Sequence, residues 1–403
     1  MTTTGTENEA TYSKTKVALM LIALLFCMVV HGFGSFKFIP MQVAIQDYFS
    51  INEGAYGIMT SAQNWMLIAC SVPFGFLVRK LPCKISFIIG FAAAIGGMLI
   101  QIFTTSYIFF VIGRVVEGGG FGFIALITGS LILTLVAPNK RGLWSGLNMA
   151  ASSAIPQIII TKGGSTLMIS TGLSFKGVFY IICGTYALAA ILLMILIPMS
   201  LRVHGISDST KPTKEQTRRV FRNKTNWLVS LAFITFNAVA IGFTSYVIKF
   251  LVSKGMEQHQ AANAYSYVTI IGLAAMILSG IISDKLGTKR KIIIVGFIAA
   301  AASMVLLAVL PANLIFIYII LYGTLPRSIA GLTNATAADI AEVPTDIPIV
   351  NSVKTTILQI GSVLNTILLG FLIQFLGYQT TIFILAGECL VGAILWFFAK
   401  KIP

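Results

Sequence analysis

Four cations and two acids break long apolar runs in this chain: Lys37, Arg114, Arg327 and Lys354, against Glu117 and Glu388. His31 lies in the same run as Lys37. A charge costs free energy wherever water cannot reach it, so each of these groups is a functional candidate. Arg114 and Glu117 are three residues apart and share one face of a helix. Two readings follow. They neutralise each other as an internal ion pair, or they form a proton-coupling site in which Glu117 takes a proton as Arg114 engages substrate or water. The spacing leaves both open.

Lys37 sits in Gly32-Phe33-Gly34-Ser35-Phe36-Lys37-Phe38-Ile39-Pro40, where two glycines and a proline loosen the helix around it. It either snorkels outward or faces inward. Arg327 follows Leu325-Pro326, well away from both ends of its run, where snorkelling is harder. Lys354 lies about two turns into its run and keeps both options. If Lys37, Arg327 and Lys354 face one cavity, they need a neutralising anion in that low dielectric. Few acids in the chain are placed to supply it. The missing charge is then a bound small anion, and Arg favours a carboxylate because its planar fork takes one bidentately. Asn148, Gln157 and Asn237 are the polar residues chosen to complete such a site.

The elements that position these groups are long and apolar. Hydrophobic residues make up 57% of the 403 and charged residues 10%, against about a quarter charged in soluble domains. Lipid accepts that much apolar surface, and a bilayer-spanning helix needs about 20 apolar residues. Twelve apolar spans are expected at 17–46, 54–78, 85–104, 106–137, 142–162, 177–200, 226–251, 262–283, 290–310, 313–336, 347–375 and 379–399. The five cysteines have no metal-ligand spacing and read as small buried hydrophobes. The first run is too long for a signal-peptide core and reads as a retained helix.

The net charge of +15 does not point to nucleic acid, because the cations sit in short segments between runs. Starting inside, alternate segments hold Lys14 and Lys16; Arg79, Lys80 and Lys84; Lys140 and Arg141; seven cations from Arg202 to Lys224; Lys285, Lys289, Arg290 and Lys291; and Lys400 and Lys401. The opposite segments hold at most Lys162, Lys176 and Lys254. The positive-inside rule then puts both termini in the cytoplasm. The expected organisation is a cytoplasmic tail (1–16), a first six-helix bundle (17–200), a solvated basic linker (201–225) and a second six-helix bundle (226–399).

Gly280-Ile281-Ile282-Ser283-Asp284-Lys285-Leu286-Gly287-Thr288-Lys289-Arg290-Lys291 resembles the signature loop of the major facilitator superfamily. In that reading Gly280 allows close helix approach, Asp284 pairs with a cation and Gly287 makes the turn. Lys285 and Arg290 hold the loop at the surface. An echo, Gly75-Phe76-Leu77-Val78-Arg79-Lys80-Leu81-Pro82-Cys83-Lys84, keeps the glycine and the basic residues. It has Arg79 where the acid belongs and Pro82 where glycine belongs. Gly113-Arg114-Val115-Val116-Glu117-Gly118-Gly119-Gly120 and the turn Pro138-Asn139-Lys140-Arg141-Gly142 also resemble the family.

The resemblance implies an all-α polytopic protein of twelve transmembrane helices, in two six-helix bundles around a central cavity with alternating access. Spans one, four, ten and eleven line that cavity in the family. The expectation is a secondary active transporter in the cytoplasmic (inner) membrane, moving a small anion coupled to protons or a counter-anion. No cofactor is expected, and a monomer suffices. Span five reads Ala154-Ile155-Pro156-Gln157, without the Gly-Pro pair of drug antiporters, and span one lacks the acid used by cationic-drug exporters. The alternatives are a drug or metabolite exporter whose cations are structural, or a sensor on the same scaffold. There is no nucleophile–base set and no Walker loop, so an enzyme or ATP-driven pump is not expected.

Overall fold

The computed structural model describes residues 13–137, 140–199, 201, 213–333 and 336–399. Most of the 1–16 tail, the first half of the basic linker, the Pro138-Asn139 turn, and Lys400 and Lys401 lie outside the described residues. So do the side chains of Arg79 and Arg141.

Among the described residues all regular structure is helical. The first half runs α1 (Lys14–Phe36), α2 (Gln42–Phe49), α3 (Glu53–Lys80), α4 (Cys83–Phe103), α5 (Tyr107–Leu135), α6 (Arg141–Ser152), α7 (Ala154–Thr171) and α8 (Phe175–Leu196). The second half runs α9 (Lys214–Arg222), α10 (Lys224–Asn237), α11 (Val247–Ser253), α12 (Gln258–Leu286), α13 (Arg290–Val309), α14 (Ile315–Thr333), α15 (Thr336–Ile340) and α16 (Ile347–Phe398).

Several breaks have local causes. Pro40 has no N–H and starts a 3₁₀ turn at Ile39–Met41, which separates α1 from α2. Ser153, at φ −127° and ψ −73°, separates α6 from α7. Gly377, at φ 78°, divides the 52 residues of α16 into two helices. Counted across such breaks, α1–α2, α3, α4, α5, α6–α7 and α8 give six spans. The segments α10–α11, α12, α13, α14 and the two parts of α16 give six more. Nine stretches meet the length and apolarity of a membrane span among the described residues, with α16 counted once. The architecture is thus an all-α, multi-pass membrane protein.

The chain packs into two compact units. The first comprises Met1–Lys37, Ala62–Ile160 and Thr171–Asp208, taken over their described residues. Lipid tails are as apolar as leucine, so helices here gain from close contact rather than from escaping water. The glycines of α4 and α5 provide that contact. A Cβ on Gly97 would land on the backbone of Glu117, and one on Gly120 on the backbone of Ala94. Helix α1 packs on α8, α6 and α5, and beside it the rings of Phe121 and Tyr186 stack 5.5 Å apart.

The second unit comprises Phe38–Ser61, Thr161–Ser170 and Ser209–Pro403. Its core brings Val220, Phe233, Phe297, Ile329 and Trp396 together. Phe233 meets Trp396 at 5.4 Å. The 38–61 segment is tied to later helices of the same unit by polar bonds. Lys249 Nζ donates to Gln46 Oε1 (2.8 Å) and Glu53 Oε1 (2.7 Å). Gln258 Nε2 donates to the Pro40 carbonyl at 2.6 Å, and Tyr246 Oη to the Glu53 carbonyl at 3.4 Å.

Candidate functional site

The first unit holds a buried charge cluster around Glu117. The α1 helix ends at Phe36, so Lys37 caps it just ahead of the Pro40 break. Its Nζ donates to Glu117 Oε1 at 2.7 Å, and both side chains are 0% exposed. Arg114 Nη1 reaches Glu117 Oε2 at 3.0 Å, the i,i+3 contact expected from the sequence. The same nitrogen donates to the Gly34 carbonyl at 2.9 Å. Gln101 Nε2 adds a third bond to the carboxylate, to Oε2 at 2.8 Å. One carboxylate therefore faces two cations. Lys37 also lies 4.4 Å from the centre of the Phe179 ring, which favours a cation.

His31 lies near this cluster on α1. Its ring packs 4.7 Å from that of Phe121, one turn beyond Glu117 on α5. Neither of its ring nitrogens has a hydrogen-bond partner among the described residues.

The second unit holds Arg327. Pro326 interrupts the α14 ladder just before it. The guanidinium lies over the Tyr322 ring, 5.3 Å from its centre. Tyr322 in turn stacks on Tyr318 at 5.4 Å and 7°. Gly272 on α12 makes room, since a Cβ there would meet Arg327 Cγ at 2.9 Å. Nε and Nη2 of Arg327 are buried and have no hydrogen-bond partner, and Tyr322 Oη has none either, among the described residues. Those two nitrogens form one edge of the guanidinium. Arg219 uses the same edge to hold the Asp346 carboxylate bidentately, with Nε to Oδ2 at 2.6 Å and Nη2 to Oδ1 at 2.9 Å.

Lys354, on the same unit's α16, is 0% exposed, so it is enclosed by protein rather than reaching outward. Asn237 is engaged in packing, donating to Ser362 Oγ at 3.2 Å. Gln157 is buried on α7, and Asn148 on α6 has a buried Oδ1 without a partner among the described residues. Lys37 belongs to the first unit, and Arg327 and Lys354 to the second.

The signature loop differs from its expected wiring. Gly287 does make the turn, ending α12 at φ 62°. Gly280 does not bring helices together among the described residues, where a Cβ on it would meet nothing within 4 Å. Gly331 of α14 makes that approach instead, against the Met276 carbonyl and Ser279 Oγ, each at 2.7 Å from its Cβ position. Asp284 is exposed, as is Lys285, and Asp284 forms no ion pair among the described residues. The loop's cation finds a different acid: Lys289 Nζ is 2.7 Å from Asp339 Oδ2 on α15. Arg290 Nη2 donates to the Phe397 carbonyl, and its Cζ lies 5.4 Å from the Phe397 ring centre.

Three partners escaped the sequence reading. Gln101 joins Glu117 from α4. Asp339 takes the loop's lysine. Asp346, 1% exposed, takes Arg219 of the linker, so one face of the described part of the linker is docked. Only the last left a trace in the sequence: Thr213 and Gln216 form a reciprocal capping box that starts α9.

Comparison with known proteins agrees with this architecture. The Major Facilitator Superfamily profile matches residues 24–342. The aspyridones efflux protein of Emericella nidulans is 22% identical over 392 residues, which covers 96% of this chain and 77% of that protein. The crystal structure of a bacterial homolog of the human lysosomal transporter Spinster, inward-facing and unoccupied, superposes with a TM-score of 0.81. It is 17% identical and covers 96% of this chain and 98% of that one. The nucleoside transporter NupG, as a mutant, gives a TM-score of 0.79 at 12% identity, covering 95% of this chain and all of that one. The chain belongs to the Major Facilitator Superfamily, and it is a membrane transporter rather than an enzyme.

Proposed function

We propose that the chain is a secondary active transporter that moves a small anion, an organic carboxylate, across the cytoplasmic membrane by alternating access. The carrying observation is the open edge of Arg327. Its Nε–H and Nη2–H are buried without acceptors among the described residues, and a buried donor left unmade costs more than a typical hydrogen bond gains. A carboxylate satisfies both donors at once and neutralises the cation. Arg219 and Asp346 give the geometry of such a pair within the same protein. Lys354 is the second cation of this site. Asn237 contributes by holding α10 to α16 through Ser362.

The Glu117 cluster supports coupling to protons. Three donors converge on one carboxylate. Protonation there would release Lys37 and Arg114 together and change which anions the unit tolerates. Exchange against a counter-anion is the variant in which Glu117 stays ionised throughout. Opening and closing on the cytoplasmic side would pass through Gly280–Arg290, with Gly287 as the pivot.

The test is uptake of labelled mono- and dicarboxylates into liposomes holding the purified chain, with and without an imposed proton gradient. The expected result is carboxylate uptake that Arg327→Gln abolishes. Absence of anion transport under every gradient, or uptake untouched by Arg327→Gln, contradicts the proposal. The similarity to an efflux protein supports a second reading, export of a metabolite around structural cations. In that case substrate leaves preloaded vesicles and Arg327→Gln changes stability but not flux.

A further inference from the structure

The outward face of α9 carries chemistry that the transport cycle does not use. Lys214, Arg218 and Arg222 are spaced i, i+4 and i+8, so they form one stripe along the helix. All three are exposed. None of them forms an ion pair among the described residues. Phe221, on the same face, is 49% exposed, and Trp227 in the first turn of α10 is 39% exposed. Their rings meet edge to face at 6.0 Å. Trp227 Nε1 donates to the Phe221 carbonyl at 2.8 Å, which leaves its ring free to lie against an apolar surface.

The opposite face is fixed. Val220 is buried in the core of the second unit. Arg219 is locked on Asp346, and Asn223 Nδ2 donates to the Ile340 carbonyl at 3.0 Å. Only Asn223 separates α9 from α10, which begins a membrane span at Lys224. With no slack between them, α9 must lie at the level where that span leaves the bilayer. A short helix at that depth, with a cationic stripe beside exposed aromatic rings, is matched by a headgroup layer that carries negative charge.

We propose that α9 is a binding site for anionic phospholipid: Lys214, Arg218 and Arg222 hold headgroup phosphates, while Phe221 and Trp227 seat in the interface. Occupancy braces the α9–Asp346 contact. Asp346 immediately precedes α16, which carries Lys354, so the lipid acts on the helix bearing one cation of the proposed substrate site. The binding claim itself does not depend on the carboxylate reading.

The experiment is thermal unfolding of the full chain in a mild detergent, titrated with phosphatidylglycerol, with phosphatidylcholine and with inorganic phosphate. Phosphatidylglycerol should raise the transition, and the other two should not. The double variant Arg218→Gln/Arg222→Gln should weaken the phosphatidylglycerol response by about thirtyfold in concentration, given the usual contribution of each cation at an anionic surface. Lys214→Gln alone should weaken it less, which keeps the test decisive if the double variant does not fold. Equal stabilisation by phosphatidylcholine would show only a generic detergent–lipid effect and overturn the proposal. Equal stabilisation by inorganic phosphate would overturn the lipid as the ligand. An unchanged response in both variants would remove α9 as the site.

Discussion

Lys37 and Glu117 lie 80 positions apart in sequence and form a 2.7 Å ion pair that is fully buried on both sides. A buried ion pair loses hydration that its attraction only partly returns, so it tolerates the loss of one partner poorly. The two partners are not equivalent here. Glu117 is shared by two cations, whereas Lys37 is one of three donors to Glu117.

That inequality gives a prediction. Glu117→Gln removes the carboxylate that Lys37 and Arg114 both face and should cost about 3–5 kcal/mol. Lys37→Met leaves the Arg114–Glu117 pair intact and should cost less, about 1.5–3 kcal/mol for a lost hydrogen bond to a charged group. Unfolding midpoints of the two variants in detergent check the order. A Lys37→Met variant less stable than Glu117→Gln would show that the cluster is not organised around the carboxylate.

Two glycines make opposite predictions. Gly272→Ala pushes on Arg327 Cγ, which has little room to move, and should destabilise by about 1–3 kcal/mol while also shifting the guanidinium. Gly280→Ala meets open space and should stay within about 0.5 kcal/mol of the parent. The comparison also checks whether the signature glycine acts in packing, as its family resemblance implies, or only in the local backbone. Thermal unfolding of the two single variants separates these outcomes.

The linker clamp should respond to acid. The hydrogen bonds from Arg219 hold the Asp346 carboxyl below its ordinary value. A carboxyl with a lowered value contributes stability that is fully present above the ordinary carboxylate range and is lost as pH falls through the lowered value. The contact between α9 and residues 344–346 should therefore be closed at neutral pH and open only in strong acid. A spin-label distance between α9 and that turn, followed against pH, reports it. Arg219→Gln should open the contact at neutral pH and flatten the profile.

Much of the fold was legible in the sequence because membrane spans depend on a local property, the length of an apolar run. The break after Lys37 was legible for the same reason, since Pro40 acts on its own backbone, whereas Gly32 and Gly34 stay inside α1 and make room for Pro156 and Phe121 rather than loosening the helix. The wiring of the site was less so. The Arg114–Glu117 contact followed from helical spacing, but Lys37 and Gln101 reach Glu117 from α1 and α4, and no spacing rule links them. The loop showed the converse: Asp284 occupies the family's acidic position, yet Lys289 pairs with Asp339 because α15 places a carboxylate beside it. The open edge of Arg327 depends on what fails to surround it, which no sequence pattern records.

The central claim is that Arg327 receives a carboxylate on its Nε–Nη2 edge. Substituting Lys keeps the charge but removes the fork, so Arg327→Lys separates recognition of geometry from simple attraction. The decisive measurement is the rise in unfolding temperature produced by a panel of carboxylates, with chloride and nitrate as references, in the parent and in Arg327→Lys. The account predicts that at least one carboxylate stabilises the parent well beyond chloride and nitrate, and that Arg327→Lys weakens its apparent affinity about tenfold or more, the loss of a charge-assisted hydrogen bond. Equal stabilisation of the parent and Arg327→Lys by every carboxylate would contradict it.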